Sequence, residues 1–298
     1  AGGSRSNCAS MILQKPSRNG PKIALAYCLE QVRKFDHDRY LCTLFAPAWS
    51  RPALWALYAF NLELARIPEM VTQPTLGQLR LNWWHEELEG LLKGEIAGHM
   101  VIEALGRTWP DFTTTQKDFM TLIDGRMLDL SDRPPETLEE LECDLEATSA
   151  TLMRLSLYAL NINDARTKVA GRELGLAWGF MGLIRSLPIG SMSRRPCFPS
   201  TILSRLGCSP TEKFLVPSPL LNEAVKTLAD EAELHLRKAR TLVPDAAKAA
   251  RGVLSLGALL RLYLDRLARA KYNPYADSLR ASVLRRLVAL GMAWGRRC

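Results

Sequence analysis

No uncharged apolar run in this sequence is long enough to cross a bilayer. The longest, about Leu174 to Ile184, falls short of the ~18 residues that a membrane-spanning helix needs. With a mean hydropathy of −0.06, the expectation is a soluble or peripheral protein. No C-x-x-C occurs among the seven cysteines, Cys8, Cys28, Cys42, Cys143, Cys197, Cys208 and Cys298. Odd in number and scattered, they argue against a disulfide framework and a zinc ribbon and for a reducing compartment. Histidines are scarce. The four, His37, His85, His99 and His235, stand at no metal-ligand spacing from one another. His85-Glu86-Glu87-Leu88-Glu89 begins like H-E-x-x-H, but Glu89 occupies the place of the second ligand, so a solvated acidic helix face is the better reading. There is no G-x-x-x-x-G-K-[ST], no G-x-G-x-x-G and no G-x-S-x-G, which argues against a P-loop, a dinucleotide fingerprint and a nucleophile elbow.

Acid is missing from residues 1 to 29, where Arg5, Lys15, Arg18 and Lys22 stand among several serines. A transit peptide has this composition, and so does a disordered leader or an extension ahead of Met11. The expected division is a flexible leader or targeting segment over 1–22 and one helical domain over 23–298. The net charge is +8, and the C-terminal end adds to it with Arg280, Arg285, Arg286, Arg296 and Arg297. Between these arginines Leu279, Val283, Leu287, Leu290 and Trp294 recur at helical spacing. Two readings stay open for this basic amphipathic helix. It lies on an anionic membrane face or a partner, or it docks on the core with its basic side in solvent. No nucleic-acid motif accompanies the charge, which argues against nucleic acid as a partner.

What is present reads as helix after helix. Ile23–Lys34, Arg51–Ile67, Leu76–Lys93, Thr115–Leu130, Leu138–Leu160, Asp164–Ser186, Leu220–Leu242 and Ala246–Ala270 carry apolar residues at i, i+3, i+4 and i+7. Leu76, Leu79, Trp83, Leu88, Leu91 and Leu92 form the clearest stripe. Prolines fall between these elements, among them Pro68, Pro74, Pro110, Pro134, Pro188, Pro217 and Pro244. No segment alternates with period two for more than a few residues, which argues against a sheet. The Pro/Ser-rich stretch Gly190–Pro219 reads as a lid or crossover within one all-α domain.

Six ordered pieces carry a family resemblance. Arg51-Pro52-Ala53-Leu54-Trp55-Ala56-Leu57-Tyr58-Ala59-Phe60-Asn61 resembles the first signature helix of squalene and phytoene synthases. Leu79 to Leu88 resembles their L-x-x-W-x-x-x-L segment, and Leu122-Ile123-Asp124-Gly125-Arg126-Met127-Leu128-Asp129-Leu130 their L-I-x-G-x-x-x-D-L helix. Ala147-Thr148-Ser149-Ala150-Thr151-Leu152-Met153 falls where the synthases carry A-G-T-V-G-L-M. Leu174 to Ser186 is similar to L-G-x-A-x-Q-L-T-N-I-L-R-D, and Arg195-Pro196-Cys197-Phe198-Pro199 to R-x-Y-L-P. The resemblance implies an all-α isoprenoid-synthase bundle, with Mg²⁺ held against a prenyl diphosphate by acids on two facing helices.

Those acids are the chief absence. Where the first helix of the family carries two aspartates, this chain has Ala65 and Arg66, and only Glu69 keeps an acid. Arg185 is followed by Ser186-Leu187-Pro188-Ile189-Gly190, without a carboxylate, and no tyrosine occurs from Leu141 to Leu157. Losing a whole acid cluster leaves too little charge for Mg²⁺–diphosphate. No residue is therefore assigned a catalytic or metal-binding role. Tyr58, Glu69, Arg80, Arg126, Asp129 and Arg185 are the candidates for a vestigial pocket. Its arginines either bind an anion without metal or pair with Glu63, Glu69, Asp124 or Asp129. Trp178-Gly179-Phe180-Met181-Gly182 either lines a lipid-sized slot for an isoprenoid or forms a close-packed helix contact.

A degenerate branch of the superfamily departs from the synthases in this way, and Asn61-Leu62-Glu63-Leu64-Ala65 is similar to its pattern. The resemblance to that branch implies a protein without catalysis that assists assembly of respiratory complex I, the NADH dehydrogenase. It implies complex I subunits or assembly intermediates as partners, with peripheral contact to the inner membrane. It implies no cofactor, and a place at the matrix face in a eukaryote or in the cytoplasm or at the membrane periphery in a bacterium. The enzyme alternative is a divergent prenyl transferase joining two isoprenyl diphosphates head to head, with Mg²⁺ held by Glu69, Asp124 and Asp129.

Overall fold

A computed structural model describes residues 20–95, 98–189, 196–207, 217–242 and 248–295. The leader as far as residue 19, Arg195, Arg296, Arg297 and most of Gly190–Pro219 lie outside the described residues. Those that are described form helices and turns, with no strand among them.

The order is α1 (Gly20–Phe35), α2 (His37–Leu44), α3 (Arg51–Met70), α4 (Pro74–Leu92), α5 (Met100–Thr108), α6 (Phe112–Met127), α7 (Leu138–Leu145), α8 (Thr151–Tyr158) and α9 (Ala165–Ser186). Then come α10 (Ser200–Arg205), α11 (Pro219–Leu242), α12 (Arg251–Leu254), α13 (Leu256–Arg269) and α14 (Val283–Gly295). Local chemistry sets many of the starts. Asp111, Thr137 and Asp164 accept from backbone N–H groups in the first turns of α6, α7 and α9, satisfying donors that a helix leaves open. Pro52 and Pro74 stand at the starts of α3 and α4, where a missing N–H costs nothing.

α9 is the axis of the bundle. It packs against α8, α11 and α13, and it is buried on all sides from Leu174 to Met181. That enclosure explains the long apolar run: a helix surrounded by helices needs no polar face. A π-turn, Glu146–Ala150, joins α7 to α8 and meets α9 at backbone distance. A Cβ on Gly175 would sit 2.6 Å from the Ala150 Cα, and Ser149 Oγ donates to the Gly175 carbonyl at 2.7 Å. One connected cluster of buried side chains runs from Ala24 to Leu290.

Several expectations need correction. α3 does not end at Ile67. It continues through Pro68 to Met70, with Ile67 and Pro68 both buried, so core packing outweighs the hydrogen bond that proline removes. The helix expected over Ala246–Ala270 is broken at Ser255, whose hydroxyl donates to the Gly252 carbonyl at 2.6 Å. The Pro/Ser-rich stretch contains α10, tied down where Ser200 and Thr201 donate to the carbonyls of Pro135 and Glu136. In α4 the buried face is Gly77, Leu81, Trp84 and Leu88, while Leu76, Leu79 and Trp83 of the expected stripe are exposed. In α14 the reading in which the apolar side docks on the core and the basic side faces solvent does not hold. Arg286 and Leu290 face the body, and Val283 and Leu287 face solvent.

Candidate functional site

Helices α2, α9, α13 and α14 converge on one carboxylate. Asp38, in the first turn of α2, is 4% exposed. Arg185 Nη1 of α9 donates to its Oδ2 at 2.9 Å, and Arg286 Nη1 of α14 to its Oδ1 at 2.9 Å. The Tyr263 hydroxyl of α13 lies 2.9 Å from both oxygens. Burial alone would raise the Asp38 pKa. The charge of Arg185, with hydrogen bonds from Arg286 and Tyr263, outweighs it and holds the carboxyl below its usual range. The Arg185 guanidinium also lies 4.4 Å from the Tyr263 ring centroid. Burial pushes the Tyr263 phenol up, so it stays a proton donor to Asp38.

Beside this cluster, Arg39 pairs with Asp36 at 2.6 Å, and its guanidinium lies 5.6 Å from the Tyr58 ring and 5.8 Å from that of Trp178. Tyr58 is buried. Burial pushes its phenol up.

The remaining candidates divide into two groups. Arg126 and Asp129 are brought together: Arg126 Nη1 donates to Asp129 Oδ2 at 3.0 Å, while Nη2 donates to the buried Asn61 Oδ1 at 3.1 Å, fastening α6 to α3. Glu69 and Arg80 are exposed and belong to neither cluster. The second half of α3 is engaged with α1. Glu63 accepts from the Tyr27 hydroxyl at 3.0 Å, and Arg66 lies 3.6 Å from the Phe35 ring centroid and donates to Gln31 at 3.3 Å.

The residues at the former acid positions do not fit Mg²⁺. Among the described residues no three His, Cys, Asp or Glu side chains gather as a metal-binding group. The metal takes oxygen donors in an octahedron, whereas Ala65 and Arg66 stand on α3, and the exposed Ser186 follows Arg185 on α9. The stretch Trp178–Met181 is close-packed rather than open, and Gly182 after it is exposed. Trp178, Phe180 and Met181 are buried, and a Cβ on Gly179 would lie 2.9 Å from a Leu145 methyl.

Sequence reasoning missed Asp38, Arg39, Tyr263 and Arg286. It also missed a second buried network. His235 Nδ1 of α11 lies 2.7 Å from Glu173 of α9. Arg172 reaches Glu173 at 2.8 Å and Glu146 of the π-turn at 2.7 Å. A local signal existed only for Asp36, which stands where an N-cap precedes α2 and accepts from the Arg39 N–H. The partners of Asp38 lie 147, 225 and 248 residues away, beyond any spacing rule.

Comparison with known proteins identifies the family and the fold. A family profile for squalene/phytoene synthase matches residues 32–287. The Bos taurus protein "NADH dehydrogenase (ubiquinone) complex I, assembly factor 6" is 31% identical over 274 residues, covering 91% of this chain and 82% of the relative. The chloroplastic phytoene synthase 1 of Zea mays is 25% identical over 290 residues, 94% of this chain and 70% of the relative. The crystal structure of a dehydrosqualene synthase in complex with ligand shares the fold with a TM-score of 0.78 at 20% identity, over 94% of this chain and 98% of that one. The chain is an all-α isoprenoid-synthase bundle and belongs to the squalene/phytoene synthase family.

Proposed function

We infer that this chain is a non-catalytic squalene/phytoene synthase-like protein that assists assembly of respiratory complex I. The observation that carries the reading is the extent of its likeness to the cattle assembly factor, which runs over nearly the whole chain. The donor set supports it. Arg66, packed against the Phe35 ring, stands where a synthase would need an acid for Mg²⁺, and Ser186 rather than a carboxylate follows Arg185, whose guanidinium is held by Asp38. The protein works without Mg²⁺ or another cofactor, by binding complex I subunits or assembly intermediates. Its place is the matrix face of the inner membrane in a eukaryotic source, and the cytoplasmic face in a bacterial one.

Two experiments test this. Purified, folded protein is incubated with farnesyl and geranylgeranyl diphosphate, Mg²⁺ or Mn²⁺ and NADPH, and the lipid extract is read by mass spectrometry. The expected result is no product above a boiled control, and a C30 or C40 hydrocarbon would overturn the non-catalytic reading. Deletion of the gene in its source cell is expected to lower assembled complex I on native gels, with recovery on re-expression. Unchanged complex I would overturn the assembly role.

A further inference from the structure

α14 is held to the body by its polar side and turns its apolar side outward. Arg286 enters the Asp38 cluster, and Leu290 is fully buried. On the opposite face Val283, Leu284, Leu287, Val288 and Met292 are exposed, Leu284 at 71% and Met292 at 55%. Their spacing places them on one side of the helix, and Gly291 adds no polar group to it. Single exposed aliphatics are ordinary, but a helix-long stripe is not.

The charge around the stripe has one sign. From Arg266 to Met292 the sequence holds six basic residues and one acid, Asp277. Arg269, Lys271, Arg280 and Arg285 are exposed, and among the described residues no carboxylate pairs with them. Arg280 and Arg285 flank the stripe itself, and Arg269 ends α13, on which α14 packs. The stripe is purely aliphatic and carries no hydrogen-bonding group for a protein partner to read. An aliphatic face bordered by arginines matches a lipid surface, with acyl chains below and anionic headgroups at the rim.

We propose that the outward face of α14 is a membrane-docking surface for anionic lipid. The Asp38–Arg286 pair sets the roll of the helix, so that it lies flat against the body with its aliphatic side free. No helix of the described residues is long and apolar enough to span a bilayer, so the contact is interfacial and reversible. This inference does not rest on the assembly role. Vesicle binding and effects on complex I are separate readouts, and either can fail without the other.

The test is flotation of the full chain with vesicles of phosphatidylcholine alone or with about one third phosphatidylglycerol, at low and high salt. The chain is expected to float with the anionic vesicles at low salt and to be released by salt. Leu284→Gln with Val288→Gln is expected to weaken binding at least about tenfold, by removing the buried aliphatic area, with an unchanged melting curve. Arg280→Glu with Arg285→Glu is expected to weaken it by a similar factor. It changes only exposed charges, so it serves if the first variant misfolds. Equal binding to neutral vesicles, or full binding by the folded variants, would overturn the proposal. So would a wild-type dimer by light scattering that ignores vesicles and becomes monomeric in the Leu284/Val288 variant, since the stripe would then join two copies of the chain.

Discussion

Two places on α9 obey different rules. Near its middle, Gly175 meets the π-turn so closely that one added carbon would lie 2.6 Å from the Ala150 Cα. Near its C-terminal end, Arg185 and Ser186 are exposed, and Ser186 stands where a synthase would need the first of its acids. In the first place the neighbour is backbone, which cannot move aside, so the fold itself dictates the residue. In the second the acids would serve a ligand, and helix packing does not depend on them. A bundle of this family can therefore lack its Mg²⁺ donors and keep its architecture. The second place is still not structurally idle, because Arg185 is one of the groups drawn onto Asp38.

The largest expected effect tests that last point. Asp38→Ala leaves the mostly buried Arg286 without its carboxylate, and urea denaturation is expected to show a loss of about 3–5 kcal/mol. A loss below about 1 kcal/mol would mean that the cluster contributes little beyond what solvent provides.

A step smaller is the contrast between two glycines of α9. Gly175→Val is expected to cost about 1–3 kcal/mol through the backbone clash. Gly182→Ala, where a Cβ meets nothing within 4 Å, is expected to gain up to about 1 kcal/mol from helix propensity. Equal melting temperatures for the two variants would break the distinction.

The pH dependence sharpens the reading of the Asp38 cluster. The folded-state pKa of Asp38 is depressed, relative to about 3.9 in an unfolded chain. Its contribution is therefore complete above roughly pH 5 and is lost as pH falls through the lowered folded value. Wild type is expected to be more stable than Asp38→Asn by a constant margin from about pH 5 to 7, with the margin shrinking below that range. A margin that instead grew on acidification would show that the sign is wrong.

The smallest effect is expected at the other acid position. Ala65→Asp with Arg66→Asp removes the contact with Phe35 and changes stability by about 0.5–1 kcal/mol. Calorimetry is expected to detect no tight Mg²⁺ site, because α9 still offers no facing carboxylate. Micromolar Mg²⁺ binding by this variant would show that one acid cluster suffices.

Much of the fold could be read along the chain, because helices announce themselves locally. Period, caps and prolines located α1, α3, α9 and α11 to within a few residues. They failed where packing overrode them, as at Pro68, and where the element was short, as with α2, α5 and α10. They also misjudged which side of a helix is buried. Leu76, Leu79 and Trp83 have the right spacing for a core stripe, but α4 packs through Gly77, Leu81, Trp84 and Leu88. Among the candidate residues, the Arg126–Asp129 pair lay within one turn, so spacing alone suggested it. The contact from Arg126 to Asn61 did not.

By itself, then, the sequence determined the all-helical class and the family, and which acids are absent, since each is a matter of residue identity and near-neighbour order. Tertiary structure alone decided that Asp38 gathers Arg185, Tyr263 and Arg286, and that α14 turns its aliphatic face outward. Those outcomes depend on which helices share a boundary. Contacts between residues more than a hundred positions apart have no period for a sequence to display.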